Sequence, residues 1–333
     1  MDGTRAAQLS PLSEHRGQQE RPLLVVVIGP TAVGKTAVAI AVAKALHCEI
    51  LNADSRQVYR GMPIGTAQPT AEERAAVPHH FVDFLEPDAL FSAGQFQSDV
   101  LAWLEQWFTH HKCAVLSGGS GLYVKAVLEG LDPVPADLTI RTALNARLES
   151  EGLEVLVDEL KRLDPAHAAS MDTQNPQRVV RALEACLASG KPFSSFHSNS
   201  TVQRPFDTLV IGLKRERAEL IDRINRRVDL MMESGLKAEV EALRPHWSAN
   251  ALQTVGYREW NAYFSGEWTA NQVAEEIKLR TRQFAKRQMT WFQKMEGVHW
   301  FHPDQTENIA EVLRVECANR GWGPVQLPQN HGE

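Results

Sequence analysis

The chain is 333 residues long, room for one large domain or two ordinary ones, and its 43% hydrophobic and 23% charged residues are an ordinary globular mixture that needs no disulfide support. A net charge of -6 does not announce a nucleic-acid binder, so any RNA contact has to come from local basic clusters. No apolar run approaches the roughly 20 residues of a membrane span, and Cys48, Cys113, Cys186 and Cys317 contain no CxxC pair, which argues against a zinc or disulfide framework and suits reduced thiols in a cytoplasm.

Residues 1–20 are polar and aperiodic and read as a disordered leader. The continuous apolar run 23–28, too short and wrongly flanked for a signal peptide, predicts a strand buried on both faces. An Ala-rich helix over 36–46 and a short strand over 49–53 follow. Val100, Leu101, Leu104, Trp107 and Phe108 give helical spacing over 98–108, and a strand at 114–116 is stopped by Gly118 and Gly119. Strands alternating with helices predict an α/β fold, a P-loop NTPase-like parallel sheet flanked by helices. From 132 to 195 the chain is nearly all helix former, with a stripe of Leu144, Leu148, Leu153, Leu156, Leu160 and Leu163. This segment reads as an inserted helical domain interrupting a core of 21–131 and 196–320; the alternative is that its helices simply cover the sheet. A strand at 209–213 rejoins the sheet, helices over 218–243 and 269–292 follow, and 321–333 reads as a flexible tail.

Gly29, Pro30, Thr31, Ala32, Val33, Gly34, Lys35 and Thr36 match GxxxxGK[ST] at every fixed position, after a predicted strand and before a predicted helix. Glycines let the backbone curl so that its amides face phosphate oxygens, and the helix start adds its positive end. Lys35 supplies a point charge to a diphosphate, and the Thr36 hydroxyl is the expected magnesium ligand. The motif reads phosphates and leaves the rest of the ligand open.

Asp54 follows the second strand, so it belongs at the carboxyl ends of the strands with the P-loop, where it holds a metal through water or takes a proton; an N-cap is the plainer use. The Gly-rich turn from Ser117 through Ser120 to Tyr123 makes a second close approach to a ligand or merely a tight turn. The adjacent His79 and His80 lack a third ligand at matching spacing, which argues against a metal site. Arg223 and Arg227 lie four apart on one helical face, placing one of them in reach of the diphosphate. Residues 278–294 carry six Lys or Arg and no acid, interleaved with Phe284, Trp291 and Phe292, a pattern for RNA backbone contact or for a solvated helix face.

Together these motifs resemble one family, the bacterial tRNA dimethylallyltransferases. The matching stretches are GPTAVGKT at 29–36, DSRQVYRGMPIGTA at 54–67, PHHFVD at 78–83, GGSGLY at 118–123, NPQRVVRALE at 175–184, TVGYREW at 254–260 and TRQFAKRQMTWF at 281–292. The resemblance implies magnesium-dependent transfer of a dimethylallyl group from dimethylallyl diphosphate to N6 of adenine 37 in tRNA. It also implies that the inserted helical domain holds the anticodon stem-loop, with a monomer as the default state. By motif position, Asp54 is the implied general base, Thr31 and Lys35 contact the diphosphate, Arg223 is the diphosphate arginine, and Ser120 belongs to the catalytic set. The implied tRNA contacts are Asp54, Ser55, Arg56 and Gln57; Ser120; Gln177, Arg178, Val179, Val180 and Arg181; Gln253, Thr254, Val255, Gly256, Tyr257 and Arg258; and Lys286, Arg287, Gln288, Met289, Thr290, Trp291, Phe292 and Gln293. The chain departs from the pattern at Val33, where Ser or Ala is common, at Ser120, where Thr is usual, and at Gln68, where Lys is frequent. A P-loop kinase of a small molecule, a prenyltransferase of free adenine nucleotides and a non-enzymatic RNA-binding module remain as alternatives, although the last leaves the P-loop without a use.

Overall fold

Each of the six side chains of Leu23–Ile28 is buried, as a continuous apolar run demands of a strand covered on both faces. The computed structural model describes residues 21–196 and 202–327. The leader expected at 1–20 and positions 328–333 of the expected tail lie outside the described residues. The first part of the chain gives β1 (Leu23–Ile28), α1 (Lys35–Leu46), β2 (Ile50–Asn52), α2 (Ala71–Ala76), β3 (His79–His80), α3 (Ala93–Trp107), β4 (Cys113–Gly118) and α4 (Gly121–Glu129). The helical middle is α5 (Leu138–Glu151), α6 (Leu153–Leu163), α7 (Pro165–Ser170) and α8 (Pro176–Ser189). Then come β5 (Asp207–Leu213), α9 (Arg217–Glu233), α10 (Leu236–Ala242), α11 (Trp260–Phe264), α12 (Ala270–Phe292), β6 (Val298–Phe301) and α13 (Thr306–Asn319).

The strands form one parallel six-stranded sheet of order β3-β2-β4-β1-β5-β6. This is the α/β, P-loop-type fold the alternation predicts. Register decides where the chemistry falls. Ile28 pairs with Gly118 and Asn52 with Ser117, so β1, β4 and β2 end side by side. The loops after these strands therefore open into one crevice at the carboxyl edge of the sheet. On one face, Ala39, Val42 and Ala43 of α1 and Ile309 and Leu313 of α13 pack on Val25, Val115 and Ile211 of the sheet.

Several boundaries differ from the sequence expectation. The single helix expected over 218–243 is two, because Gly235 takes φ 96, a left-handed value that ends the α-helical run. The sheet carries two strands beyond the four expected, β3 and β6, and α13 follows the second. Among the described residues no helix is long and apolar enough to cross a membrane. Cys48, Cys113, Cys186 and Cys317 are buried free thiols.

The chain divides into two compact units, one within Met1–Leu90, Ala102–Gly121 and Pro205–Glu333, the other within Phe91–Leu101 and Leu122–Arg204. The sheet and all the loops at its carboxyl edge belong to the first. In the second, α5, α6 and α8 close over Leu144, Leu156, Leu160, Val179 and Leu183. The expected leucine stripe supplies this core, except that Leu163 stays 39% exposed. Asn175 caps α8 by accepting from the Arg178 amide, with Pro176 in the first turn. Glu184 on the same helix is fully buried and accepts from the Asp137 amide at 2.8 Å, from Arg141 at 2.7 Å and from Arg181 at 2.9 Å. Burial pushes its carboxyl up, but the two guanidiniums and the amide outweigh that and hold it below the usual range.

Candidate functional site

The loop after β1 turns sharply because Gly34 adopts φ 112 and Ala32 φ 62, both in the left-handed region. Gly34 caps α1 without a side chain, and amides in the first turn of a helix have no partner within it. The loop carbonyls are spoken for. Lys35 Nζ donates to the oxygens of Gly29 at 3.0 Å and Pro30 at 2.9 Å, Arg223 Nε to that of Ala32 at 2.9 Å, and Arg215 Nε to that of Val33 at 2.9 Å. With the carbonyls held by cations, the start of α1 presents donors and positive charge.

Those groups border a cavity of about 440 Å³ whose walls include Thr31, Ala32, Gly34, Lys35, Thr36, Asp54, Ser120, Arg223 and Arg227. Arg223 uses one nitrogen on Ala32, and the end of its fork has no partner among the described residues. Arg227 makes no ion pair among the described residues; the neighbouring Glu73 carboxylate accepts the Thr70 amide at 2.8 Å. Burial pulls the Lys35 ammonium down to about 8; the Asp54 carboxylate opposes that and the charge of Arg227 adds to it. Burial, then the charge of Arg223, likewise disfavours the charged form of Arg227. Three cations thus border one cavity with only the carboxylates of Asp54 and Glu73 near them, a charge balance that suits an anion.

The second wall comes from the loop after β2 and the turn after β4. A Cβ on Gly118 would lie 2.0 Å from the Ala53 oxygen, so only glycine permits this approach. Ser120 donates its amide to Ala53 O at 3.1 Å, and its Oγ accepts from the Ser55 amide at 3.0 Å and donates to Ser55 Oγ at 3.3 Å. Asp54 Oδ1 accepts the Arg56 amide at 2.9 Å, and Oδ2 has no hydrogen-bond partner among the described residues beside the cavity. Val228, Met231, Ile277 and Phe284, from α9 and α12, contribute to the apolar part of the lining.

The structure thus gathers Thr31, Lys35, Thr36, Asp54, Ser55, Arg56, Gln57, Ser120, Arg223, Thr254, Val255, Gly256 and Gln288 around one cavity. Lys286, Arg287, Thr290, Trp291 and Gln293 stand exposed on or beside α12, and Gln253 and Arg258 are exposed on their loop. Gln177 and Arg178 are exposed on α8 in the helical unit.

Other expected RNA contacts need correction. Val179 and Val180 are 0% and 5% exposed in the helical core. Arg181 is committed to Glu184 and to the carbonyls of Val134 and Pro135 at 2.9 and 2.7 Å. Tyr257 is buried, its hydroxyl donating to Glu239 at 2.6 Å, while Glu239 also takes the Ile64 and Gly65 amides; burial first and that carboxylate second push the phenol up. Phe292 is fully buried, and Gln288 is 6% exposed with both ends of its amide bonded inside the protein. The side chain of Val33 also points into the core.

The basic run is less open than its composition suggests. Lys278 pairs with Asp229 and Glu275, Arg280 with Glu276, and Arg282 with Asn225. Gln68 is not a charge lost from the cavity: it is 8% exposed and donates to the carbonyls of Gln57 and Tyr59. His79 Nδ1 meets Val77 O and His80 Nε2 meets Glu49, uses other than metal binding. Glu219, His302 and Asp304 cluster around Arg215, the arginine behind the P-loop. Arg215 and Glu239 carry no motif by themselves, and only the fold shows what they hold.

The IPP transferase family model matches residues 57–295. The chain is similar to tRNA dimethylallyltransferase 1 of Bacteroides thetaiotaomicron, 45% identical over 89% of this chain and 96% of that protein. It is equally similar to the tRNA dimethylallyltransferase of Cytophaga hutchinsonii, 45% identical over 88% and 97%. Among solved structures, the full-length tRNA isopentenylpyrophosphate transferase of Bacillus halodurans is 38% identical with a TM-score of 0.66, covering 89% of this chain and 96% of that one. A eukaryotic dimethylallyltransferase structure, 24% identical over 92% and 81% with a TM-score of 0.75, shares the fold.

Proposed function

The chain belongs to the IPP transferase family, and we propose that it transfers a dimethylallyl group from dimethylallyl diphosphate to N6 of adenine 37 in tRNA. The observation that carries this reading is the cavity itself. It joins a cationic phosphate cradle (Lys35, Arg223, Arg227), a carboxylate (Asp54) and an apolar wall (Val228, Met231, Ile277, Phe284) within one chain. That also supports a monomer as the working unit and, with four reduced thiols, a cytoplasmic protein.

The exocyclic amine of adenine is a weak nucleophile, since its lone pair is delocalised into the ring. The reaction needs a stabilised leaving group and an aligned, drained site. The new bond joins N6 to the prenyl C1; the C1–O bond breaks with its electrons going to the diphosphate. Lys35, whose third donor remains available, and the free fork of Arg223 meet the growing negative charge, with Arg227 as a second guanidinium. Asp54 Oδ2 orients the amine and takes its proton. Because the base is reached only outside its stack, the stem-loop must present adenine 37 flipped out.

Thr36 Oγ has no hydrogen-bond partner among the described residues and borders the cavity with Asp54. The hydroxyl is a hard oxygen donor that suits Mg2+, which Thr36 would hold, leaving Asp54 Oδ2 to the amine. Bound there, the ion would neutralise diphosphate charge. The exposed groups of α12, chiefly Lys286, Arg287 and Trp291, are the proposed RNA face of the catalytic unit, and Gln177 and Arg178 that of the helical unit, which we assign to the anticodon stem-loop.

The test is to incubate the protein with labelled dimethylallyl diphosphate and Mg2+ and to offer unmodified tRNA, AMP or ATP. Label in tRNA alone is expected. Label in AMP or ATP, or phosphoryl transfer from ATP, overturns the reading.

A further inference from the structure

Gln288 sits on α12 directly after the exposed Lys286 and Arg287, yet it faces the other way and is 6% exposed. Its Oε1 accepts the Thr31 amide at 2.8 Å, and its Nε2 donates to Gly119 O at 2.9 Å. Only one orientation of the amide satisfies both, because one partner is a donor and the other an acceptor. Beyond Ile28 and Gly118, the last paired residues of β1 and β4, this side chain ties the P-loop to the turn after β4.

The surroundings are shaped to that bridge. A Cβ on Gly119 would come within 2.4 Å of Gln288 Nε2 and 3.6 Å of Lys35 Nζ, so the turn is bare where the amide enters beside the ammonium. One turn back along α12, Ala285 packs on Ala32 of the P-loop and Ile224 of α9, which fixes the helix against the loop. Past Gly119, the Ser120 hydroxyl accepts the Ser55 amide, one residue from Asp54. A short chain of contacts therefore runs from Thr31 through Gln288 and Gly119 to the segment bearing Asp54.

We propose that Gln288 is a positioning residue, which sets the diphosphate loop at a fixed distance from the loop of the proposed base and makes no contact with RNA. This rests on the functional reading above. A misplacement of about 1 Å between reacting groups costs on the order of 100-fold in rate, so a rigid bridge at this point has a measurable catalytic effect.

The full chain is tested as Gln288→Met, which keeps the length and loses both bonds, and as Gln288→Glu, which keeps the acceptor for Thr31 and loses the donor to Gly119. Binding of inorganic diphosphate with Mg2+ is followed by calorimetry, tRNA affinity by filter binding, and prenyl transfer by kcat and KM. Gln288→Met is expected to lower kcat/KM for dimethylallyl diphosphate about 30-fold, as the loss of two neutral hydrogen bonds predicts, with Gln288→Glu between it and wild type. tRNA affinity should stay within about twofold. Gly119→Ala pushes on the same amide from the other side; it should be damaging alone and add less than about threefold to Gln288→Met, since coupled residues are non-additive. If Gln288→Met does not fold, Gln288→Glu and Gly119→Ala decide. Weakened tRNA binding with unchanged diphosphate affinity and KM overturns the proposal, as does independent multiplication of the two substitutions. A wild type that binds diphosphate but prenylates no tRNA sinks only the functional reading; the diphosphate affinities of the variants still judge Gln288.

Discussion

Arg227→Met separates an anion site from a structural arginine, because the two make opposite predictions about stability. The side chain is half-buried, lies four residues from Arg223, and makes no ion pair among the described residues, the Glu73 carboxylate offsetting its burial only in part. Its charge disfavours the charged form of Lys35 in the same cavity. Removing it relieves repulsion in the unliganded protein, so the melting temperature without ligand should rise or hold. Affinity for inorganic diphosphate should fall by about 10- to 150-fold, the equivalent of one charge-assisted hydrogen bond at about 1.5–3 kcal/mol. Ligand linkage makes this visible in one assay. At a diphosphate concentration about 100 times the wild-type Kd, wild type gains about 2.7 kcal/mol, a tenfold weaker variant about 1.4, and a hundredfold weaker one about 0.4. At about 2–4 °C per kcal/mol, the wild-type shift of roughly 5–10 °C should drop below about 6 °C, measured by scanning fluorimetry with and without diphosphate. A variant that melts lower without ligand yet keeps the full ligand-induced shift would show that Arg227 serves the fold, and would refute the anion-site argument.

Asp54→Asn keeps an acceptor for the Arg56 amide, so tRNA and diphosphate binding should persist while kcat falls about 10²–10⁴-fold; near-normal single-turnover rates would remove Asp54 as the base. Lys286→Gln with Arg287→Gln should weaken tRNA binding and lower the salt slope by about 1.4, at about 0.7 per single-strand phosphate contact, without changing KM for dimethylallyl diphosphate; an unchanged slope means that α12 does not meet the RNA backbone. Thr36→Val retains the shape of the first turn of α1 and removes its free hydroxyl, so the Mg2+ concentration for half-maximal activity should rise by at least about tenfold; an unmoved Mg2+ titration excludes Thr36 as a ligand.

The core of the site was legible because its chemistry is written in short, local spacing. The P-loop places its cradle through eight consecutive residues, and a carboxylate just past a short buried strand could only land at the same edge of the sheet. What escaped was set by burial or by distant partners. Gln177, Arg178, Val179 and Val180 read as one motif, yet the helical period turns the first two outward and the valines into the core. The run 278–294 is rich in cations by count, but Asp229, Glu275 and Glu276 neutralise Lys278 and Arg280, and only its second half is open. β6 is four residues with no long apolar run to announce it, and the ladder shows that Gly212 leaves room there for Trp300. Gln288 and Arg215 act on the P-loop from 257 and 182 residues away, separations over which no sequence pattern connects them.

A P-loop reads phosphates and is indifferent to what they are attached to, so the choice of reaction has to lie in the walls facing it. Here α9 supplies both kinds of wall in less than three turns: Arg223 and Arg227 on the cradle side, then Val228 and Met231 in the apolar lining. α12 continues that lining with Ile277 and Phe284, and one turn later turns Gln288 onto the P-loop itself. A nucleotide-fuelled enzyme needs a polar, hydrogen-bonding wall for a base and sugar, and a way for water or a hydroxyl to reach phosphorus. Beside its polar groups this cavity has an apolar stretch, Val228, Met231, Ile277 and Phe284, that suits a five-carbon chain, and the Asp54 carboxylate lines the same space. The same cations that elsewhere stabilise a phosphoryl group in transit then serve to draw a diphosphate away from carbon. On the proposed reading the diphosphate is a leaving group, and the cations that line the cavity, Lys35, Arg223 and Arg227, are the groups to draw it away.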